Sequence, residues 1–139
     1  MKPDISIVIP AYNESERLEA PLRTLIEYVK TSDIAIELIV VDDGSSDDTA
    51  DVANRAFAAN LDVSSNVIRY DENRGKGYAI KIGLLAAGAD IALFTDADLS
   101  TPIDQMPKLT DPIKSGEFDL TFGSRVRAWR RYSSTRQPQ

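Results

Sequence analysis

Two carboxylates two residues apart, Asp96 and Asp98, are the groups of this 139-residue chain best suited to chemistry. They follow the apolar run Ile91-Ala92-Leu93-Phe94, which reads as a strand that delivers them to its end. Side chains two apart on a strand point to the same side. Asp96 and Asp98 would then offer oxygen atoms to one hard cation, Mg²⁺ or Mn²⁺. A cation held there would clamp the phosphates of a nucleotide. With this much aspartate, about one or two Asp-x-Asp matches arise by chance. The pair gains meaning only from what agrees with it elsewhere.

Four further clusters carry polar chemistry. In Pro10-Ala11-Tyr12-Asn13-Glu14, Tyr12 suits stacking on a base and Glu14 suits a sugar or base hydrogen bond. The same segment reads as a capping turn, because Asn13 and Glu16 have capping-box spacing. In Val41-Asp42-Asp43-Gly44-Ser45, a carboxylate is acceptor-only and suits the N–H groups of uracil or guanine. An Asx-turn is the structural alternative; ligand contact is the favoured reading for Asp43, and helix capping for Asp47 and Asp48. In Asn73-Arg74-Gly75-Lys76-Gly77, the glycines permit close approach, and Arg74 and Lys76 suit a diphosphate at a helix start. A solvated basic turn fits the same residues. The spacing matches neither a Walker A loop nor a dinucleotide fingerprint. In Gly123-Ser124-Arg125, the guanidinium suits bidentate phosphate contact or is a surface arginine.

These clusters need elements to position them. Ile5–Ile9 reads as a strand stopped by Pro10. Leu18, Leu22, Leu25, Ile26 and Val29 recur at helical spacing, and Pro21 fits only a first turn, so the helix starts near Glu19. Glu37–Val41 reads as a strand buried on both faces. A helix holding Val52, Ala53, Ala56 and Phe57 follows, capped by Ser46 or Asp47. Val67–Tyr70 is a short strand, and Ala79–Ala87 a helix. Asp90–Thr95 is a fourth strand. Pro107 and Pro112 predict short helical pieces, and Asp119–Gly123 a fifth strand. Alternating strands and helices predict right-handed βαβ units and a parallel sheet in a three-layer α/β fold. Ligands of such sheets bind outside the carboxyl ends of the strands. The clusters after the first, second and fourth strands fall on that rim.

Composition narrows the chemistry. The chain has no Cys and no His, so thiolates, imidazole bases and the commonest transition-metal ligand are absent. Catalysis must run on carboxylates, Lys, Arg, hydroxyls, backbone groups and a metal. A net charge of −6 argues against general nucleic-acid binding. Arg125, Arg127, Arg130, Arg131 and Arg136 follow the last acid, Asp119. They read as a solvated tail, or as contacts for phosphates or anionic lipid head groups. No apolar run approaches the roughly 20 residues of a membrane span. Met1-Lys2-Pro3-Asp4 lacks a signal-peptide pattern. The expectation is a cytoplasmic protein, peripheral at the inner face of a membrane.

As a set, these segments resemble the family 2 glycosyltransferases with a GT-A fold, a Rossmann-like nucleotide-diphospho-sugar transferase architecture. The matching stretches are Ile7–Glu14, Val41–Ser45, Asn73–Gly77, Asp96–Asp98 and Gly123–Arg125. Asp98-Leu99-Ser100-Thr101-Pro102 is most similar to the dolichyl-phosphate β-glucosyltransferase branch; the mannosyltransferase branch usually carries Gln and His after the Leu. The resemblance implies inverting transfer of a hexose from a nucleotide sugar, UDP-glucose before GDP-mannose, to a polyprenyl phosphate, with Mg²⁺ or Mn²⁺. Carried across by position, Pro10, Ala11, Tyr12, Glu14, Val41 and Asp43 would hold the nucleoside. Asp96, Ala97 and Asp98 would hold ribose, metal and diphosphate. Lys76 and Arg125 would contact phosphate, and Asp96 and Asp98 would be catalytic.

Family members normally continue past Gly-Ser-Arg into an acceptor-binding half. The expectation is therefore a donor-binding domain over residues 1–125, with 126–139 a basic start of the acceptor region. Two alternatives stand beside transfer of glucose: a non-catalytic nucleotide-sugar-binding module, and a GDP-mannose-dependent transferase. A phospho-receiver domain fits poorly, because its acidic pair belongs after the first strand, where Pro10-Ala11 stands. A nucleotidyltransferase also fits poorly, because the glycine-rich loop expected after the first strand is missing. An uncovered sheet face would expose apolar surface, so self-association is a further expectation.

Overall fold

The computed structural model describes residues 1–123. Two compact units divide the chain, Met1–Met106 and Pro107–Gln139. The first holds a four-stranded sheet. In chain order its elements are β1 (Ile5–Ala11), α1 (Glu19–Thr31), β2 (Ile36–Asp43), α2 (Thr49–Ala58), β3 (Ser64–Tyr70), α3 (Lys76–Ala86) and β4 (Ile91–Phe94). A short 3-10 turn, Ile103–Gln105, precedes α4 (Met106–Lys114).

All strand pairs are parallel, in the order β3-β2-β1-β4. The central strands β1 and β2 are buried on both faces, which explains their continuous apolar runs, whereas β3 and β4 at the edges are only partly buried. Alternate residues of β1 and β2 face opposite ways. Ile5, Ile7, Ile9, Leu38 and Val40 share a core with Leu22, Leu25 and Ile26 of α1 and Ala53 and Phe57 of α2. Val8, Ile39 and Val41 pack with Ala79 of α3 on the other face. Gly83 lets α3 lie close: a Cβ there would come within 2.2 Å of Val8 Cγ1.

At the amino ends of the strands a polar knot pins the α3–β4 connection. Ser6 Oγ donates to Glu37 Oε2 (2.7 Å), which also accepts the Gly88 N–H (2.9 Å). Ser6 Oγ in turn accepts the Ala89 N–H (3.1 Å).

The structure corrects several expectations. Pro10 does not stop β1, which runs to Ala11. The last β4 bond, Thr95 N–H to Val8 O (3.0 Å), faces the side that Pro10 also faces two residues on. Its missing N–H thus points where β4 has already ended. Pro112 does not break α4, which continues to Lys114. Residues 119–123 form no strand: Leu120 and Phe122 are 79% and 83% exposed, so the segment has no apolar face to bury. In the second unit, Thr121 Oγ1 instead donates to Leu109 O (2.6 Å).

Candidate functional site

The carboxyl rim of the sheet carries a dense polar cluster around Asp43, the last residue of β2. Asp43 is 3% exposed. Its Oδ1 accepts the Tyr70 hydroxyl (2.6 Å) and the Arg74 N–H (2.9 Å). Its Oδ2 accepts Asn73 Nδ2 and the Gly75 N–H, both at 3.0 Å. Its carbonyl takes a second bond from Asn73 Nδ2 (3.1 Å). Parallel register explains the start of this cluster, because Asp43 sits opposite Tyr70. Burial, and then the neighbouring Asp43 carboxylate, push the Tyr70 phenol well above its ordinary pKa, so it stays a donor. Tyr78 meets Tyr70 edge-on (5.4 Å between centroids), and the Arg74 guanidinium lies 5.4 Å from the Tyr78 ring centre.

Gly44 closes the junction between this cluster and the β2–α2 turn. Its φ is +68°, and a Cβ would stand 2.3 Å from Asn73 N and 2.4 Å from Glu72 C, both backbone. Only glycine fits where these two loops cross.

Beyond β1, the chain turns at Asn13 (φ +50°) and is stitched to the same β2–α2 turn. Ser45 Oγ accepts the Asn13 N–H (2.9 Å), and Asn13 Oδ1 accepts the Ser46 N–H (2.9 Å). Thr49 Oγ1 accepts the Glu14 N–H (2.9 Å). Asn13 is therefore no capping-box residue of α1; its side chain serves the neighbouring loop. Asp47 does serve the start of α2, accepting the Thr49 N–H (3.0 Å) and hydroxyl, and the Ser15 N–H (3.2 Å). Burial opposes its charge, but these bonds outweigh it and hold the carboxyl down at about 2. Asp42 is fully buried; its Oδ1 accepts the Ser45 N–H (3.0 Å), and its Oδ2 lies 3.9 Å from Arg69 Nε with no hydrogen bond.

Asp96 and Asp98 lie past the end of β4, in a turn closed by the Leu99 N–H on Asp96 O (3.0 Å). Strand alternation therefore does not set their side chains, because β4 ends at Phe94; the turn does, with Leu99 at φ +49°. Asp96 Oδ1 accepts the Lys76 ammonium. Asp98 is exposed, and its Oδ1 accepts the Ser100 N–H (3.0 Å). Ala97 between them is buried.

The structure thus brings some of the expected site residues together and leaves others, Asp98 among them, without contact to these. Asp43, Lys76 and Asp96 join one run of contacts, Asp43 through the backbone just before Lys76. Pro10, Ala11 and Val41 lie side by side in adjacent strands with buried side chains. Tyr12 is 48% exposed, and Glu14 Oε2 pairs with Arg17 Nε (3.0 Å). Arg125 lies outside the described residues. Tyr70 and Asn73, the side-chain partners of Asp43, had no assigned role in the sequence reading. The register of β3 on β2 is the signal that finds Tyr70.

Among the described residues no group of three or more His, Cys, Asp or Glu is gathered as a metal cage. Two carboxylates with an oxygen each still unbonded fit a Mg²⁺-type ion, which takes one or two carboxylates and fills its shell with phosphate and water.

The family profile described as "Glycosyl transferase family 2" matches residues 6–137. The chain belongs to that family. Within it, the chain is 34% identical over 128 residues to Glycosyltransferase AglD of Haloferax volcanii, covering 88% of this chain and 20% of AglD. It is 35% identical over 116 residues to the dolichyl-phosphate beta-glucosyltransferase of Drosophila melanogaster, covering 80% of this chain and 36% of that enzyme. Among solved structures, the mannosyltransferase PcManGT of Pyrobaculum calidifontis, in complex with GDP-Man and Mn²⁺, matches with a TM-score of 0.65 at 29% identity. The match covers 76% of this chain and 30% of PcManGT. The fold is that of the GT-A glycosyltransferases. This family 2 chain spans well under half the length of each of these relatives. No helix among its described residues is long and apolar enough to cross a membrane.

Proposed function

We propose that this chain is the donor-binding part of an inverting glycosyltransferase that moves a hexose, glucose before mannose, from a nucleotide diphosphate sugar to a polyprenyl phosphate. The observation that carries the reading is the gathering of Asp43, Lys76, Asp96 and Asp98 on the carboxyl rim of one parallel sheet. That rim is where such folds bind ligands. The glucosyltransferase relative and the Ser100-Thr101-Pro102 stretch support glucose.

In this reading Pro10, Ala11 and Val41 form the floor under the nucleoside. Tyr12, Glu14 and Asp43 meet its base and sugar, and the backbone at Ala97 meets the ribose. Asp96 and Asp98 would hold Mg²⁺ or Mn²⁺, which neutralises charge on the leaving diphosphate. Lys76 and Arg125 add positive charge to the same phosphates. The acceptor phosphate needs no strong base, because its second pKa is about 6 and it is largely dianionic near neutrality. A chain without His is suited to that acceptor. Its oxygen attacks the anomeric carbon from the face opposite the diphosphate, inverting the centre as the diphosphate leaves. Such an acceptor places the chain at a membrane surface. In this reading the donor-binding domain ends near Arg125, and residues 126–139 are the basic start of the acceptor region.

Calorimetry with UDP and GDP, with and without Mn²⁺, tests the reading. Metal-dependent nucleotide binding that is lost in Asp98→Ala is the expected result. Binding indifferent to metal and to Asp98 would overturn it. A guanine preference would favour the mannose donor, the second reading, which the likeness to PcManGT with GDP-Man supports. Formation of glycosylated polyprenyl phosphate separates an enzyme from a binding module.

A further inference from the structure

Lys76 stands where a cation on Asp96 would stand. Its ammonium donates to Asp96 Oδ1, so one oxygen of that carboxylate is already matched with positive charge. The backbone that carries Lys76 is held firmly. Lys76 opens α3, directly after Gly75, whose N–H is bound at 3.0 Å to the buried carboxylate of Asp43. The Arg74 N–H is bound to the same carboxylate at 2.9 Å. The Lys76 side chain, by contrast, is largely exposed and joined to the protein at its tip. A fixed stem with a movable ammonium is the result. Asp96 Oδ2 remains open, but a divalent ion taken there would stand close to the ammonium on Oδ1, and their like charges repel.

We propose that Lys76 is a placeholder cation: it occupies Asp96 in the donor-free chain and passes to the diphosphate when a nucleotide binds, releasing Asp96 to the metal. The inference rests on the metal role given above to Asp96 and Asp98, and adds an order of events to it. Metal arriving alone meets a carboxylate whose charge the ammonium already offsets. Metal arriving with a nucleoside diphosphate brings the phosphate oxygens that draw the ammonium away. The exchange is of hydrogen bonds and ion pairs only: Lys76 Nζ leaves Asp96 Oδ1 for a phosphate oxygen, and Asp96 keeps a positive partner throughout.

Titrating Mn²⁺ and counting the free ion by electron paramagnetic resonance tests this without turnover. The wild-type chain, Lys76→Met, Lys76→Arg and Arg74→Met are compared with no nucleotide present, then with UDP or GDP. In the absence of nucleotide, Lys76→Met should bind Mn²⁺ about two- to fivefold tighter than wild type, the size of one exposed ion pair. Lys76→Arg keeps the cation and should match wild type. Arg74→Met removes a neighbouring charge that does not touch Asp96, and measures the through-space contribution alone. With nucleotide present the advantage of Lys76→Met should vanish or reverse. If Mn²⁺ binds with nucleotide but Lys76→Met gains no more than Arg74→Met, the placeholder is overturned and the metal site stands. If no protein binds Mn²⁺ under either condition, the metal reading falls and the placeholder with it.

Discussion

The Asp43 carboxylate is committed to four donors from its own chain, which is about as many as a carboxylate can accept. A base N–H arriving there has to share or replace one of them. The Tyr70 hydroxyl is the replaceable donor, because it rotates freely, whereas two of the others are backbone N–H groups. Tyr70→Phe should therefore lower stability by about 1.5–3 kcal/mol in urea unfolding, the size of one bond to a charged group. It should leave nucleotide affinity undiminished by calorimetry. Asp43→Asn is a different case: whichever way the amide turns, its NH₂ faces two donors, and the loss should exceed about 2 kcal/mol. Asp47 supplies a pH signature. Its carboxyl is lowered from the ordinary 3.8 to about 2, so its ionised form stabilises the fold above about pH 4. That contribution drains away as the pH falls toward 2. Acid unfolding followed by circular dichroism should show a shallower loss over this window in Asp47→Asn, which starts less stable at neutral pH.

At the scale of elements, α3 bears most of the arrangement: it packs on Val8 and Val41, begins with Lys76 and follows the Asp43-bound loop. Gly83→Ala tests the packing. Alanine gains up to about 1 kcal/mol of helix propensity. The new methyl would sit 2.2 Å from the stiff, fully buried Val8 side chain, and overpacking of that kind costs about 1–3 kcal/mol. The net expectation is a lower melting temperature, read by thermal denaturation. The start of α1 at Glu19 was legible in the sequence, because Pro21 tolerates only a first turn. The apolar strands were legible because burial on both faces leaves continuous apolar runs. The Asp43 cluster was not, since Asp43 and Asn73 are 30 residues apart and meet only through the register of β3. The strand was read to Thr95 and its side-chain alternation was carried on to Asp96 and Asp98, because the apolar run gives no sign of the turn that follows. Asn13 was misread because capping-box spacing does not reveal a competing partner in another loop. The run 119–123 has strand-like alternation, but alternation makes a strand only where one face is buried.

For the whole sheet, the order β3-β2-β1-β4 sets the buried strands β1 and β2 at the centre and puts β3 and β4, which are only partly buried, at the edges. β1, β2 and β3 are joined by successive short crossovers. β4 must return past all of them to reach β1, so that Ile5 pairs with Ile91. Closing that longer loop before β2 and β3 have formed would cost about 1 kcal/mol more than closing the β1–β2 crossover. Only Ile5–Val8 pair with Ile91–Phe94 in return. Non-local pairings with little reward form late. In pulse-labelled hydrogen exchange during refolding, amides of β1 and β2 should become protected before the Thr95 N–H that binds Val8 O; protection of Thr95 first would contradict this order. The rim then matures in two stages. The Asp43 side, anchored on β2 and β3, is formed early. The turn carrying Asp96 and Asp98 should arrive last, so that the donor rim is complete only once β4 has paired with β1.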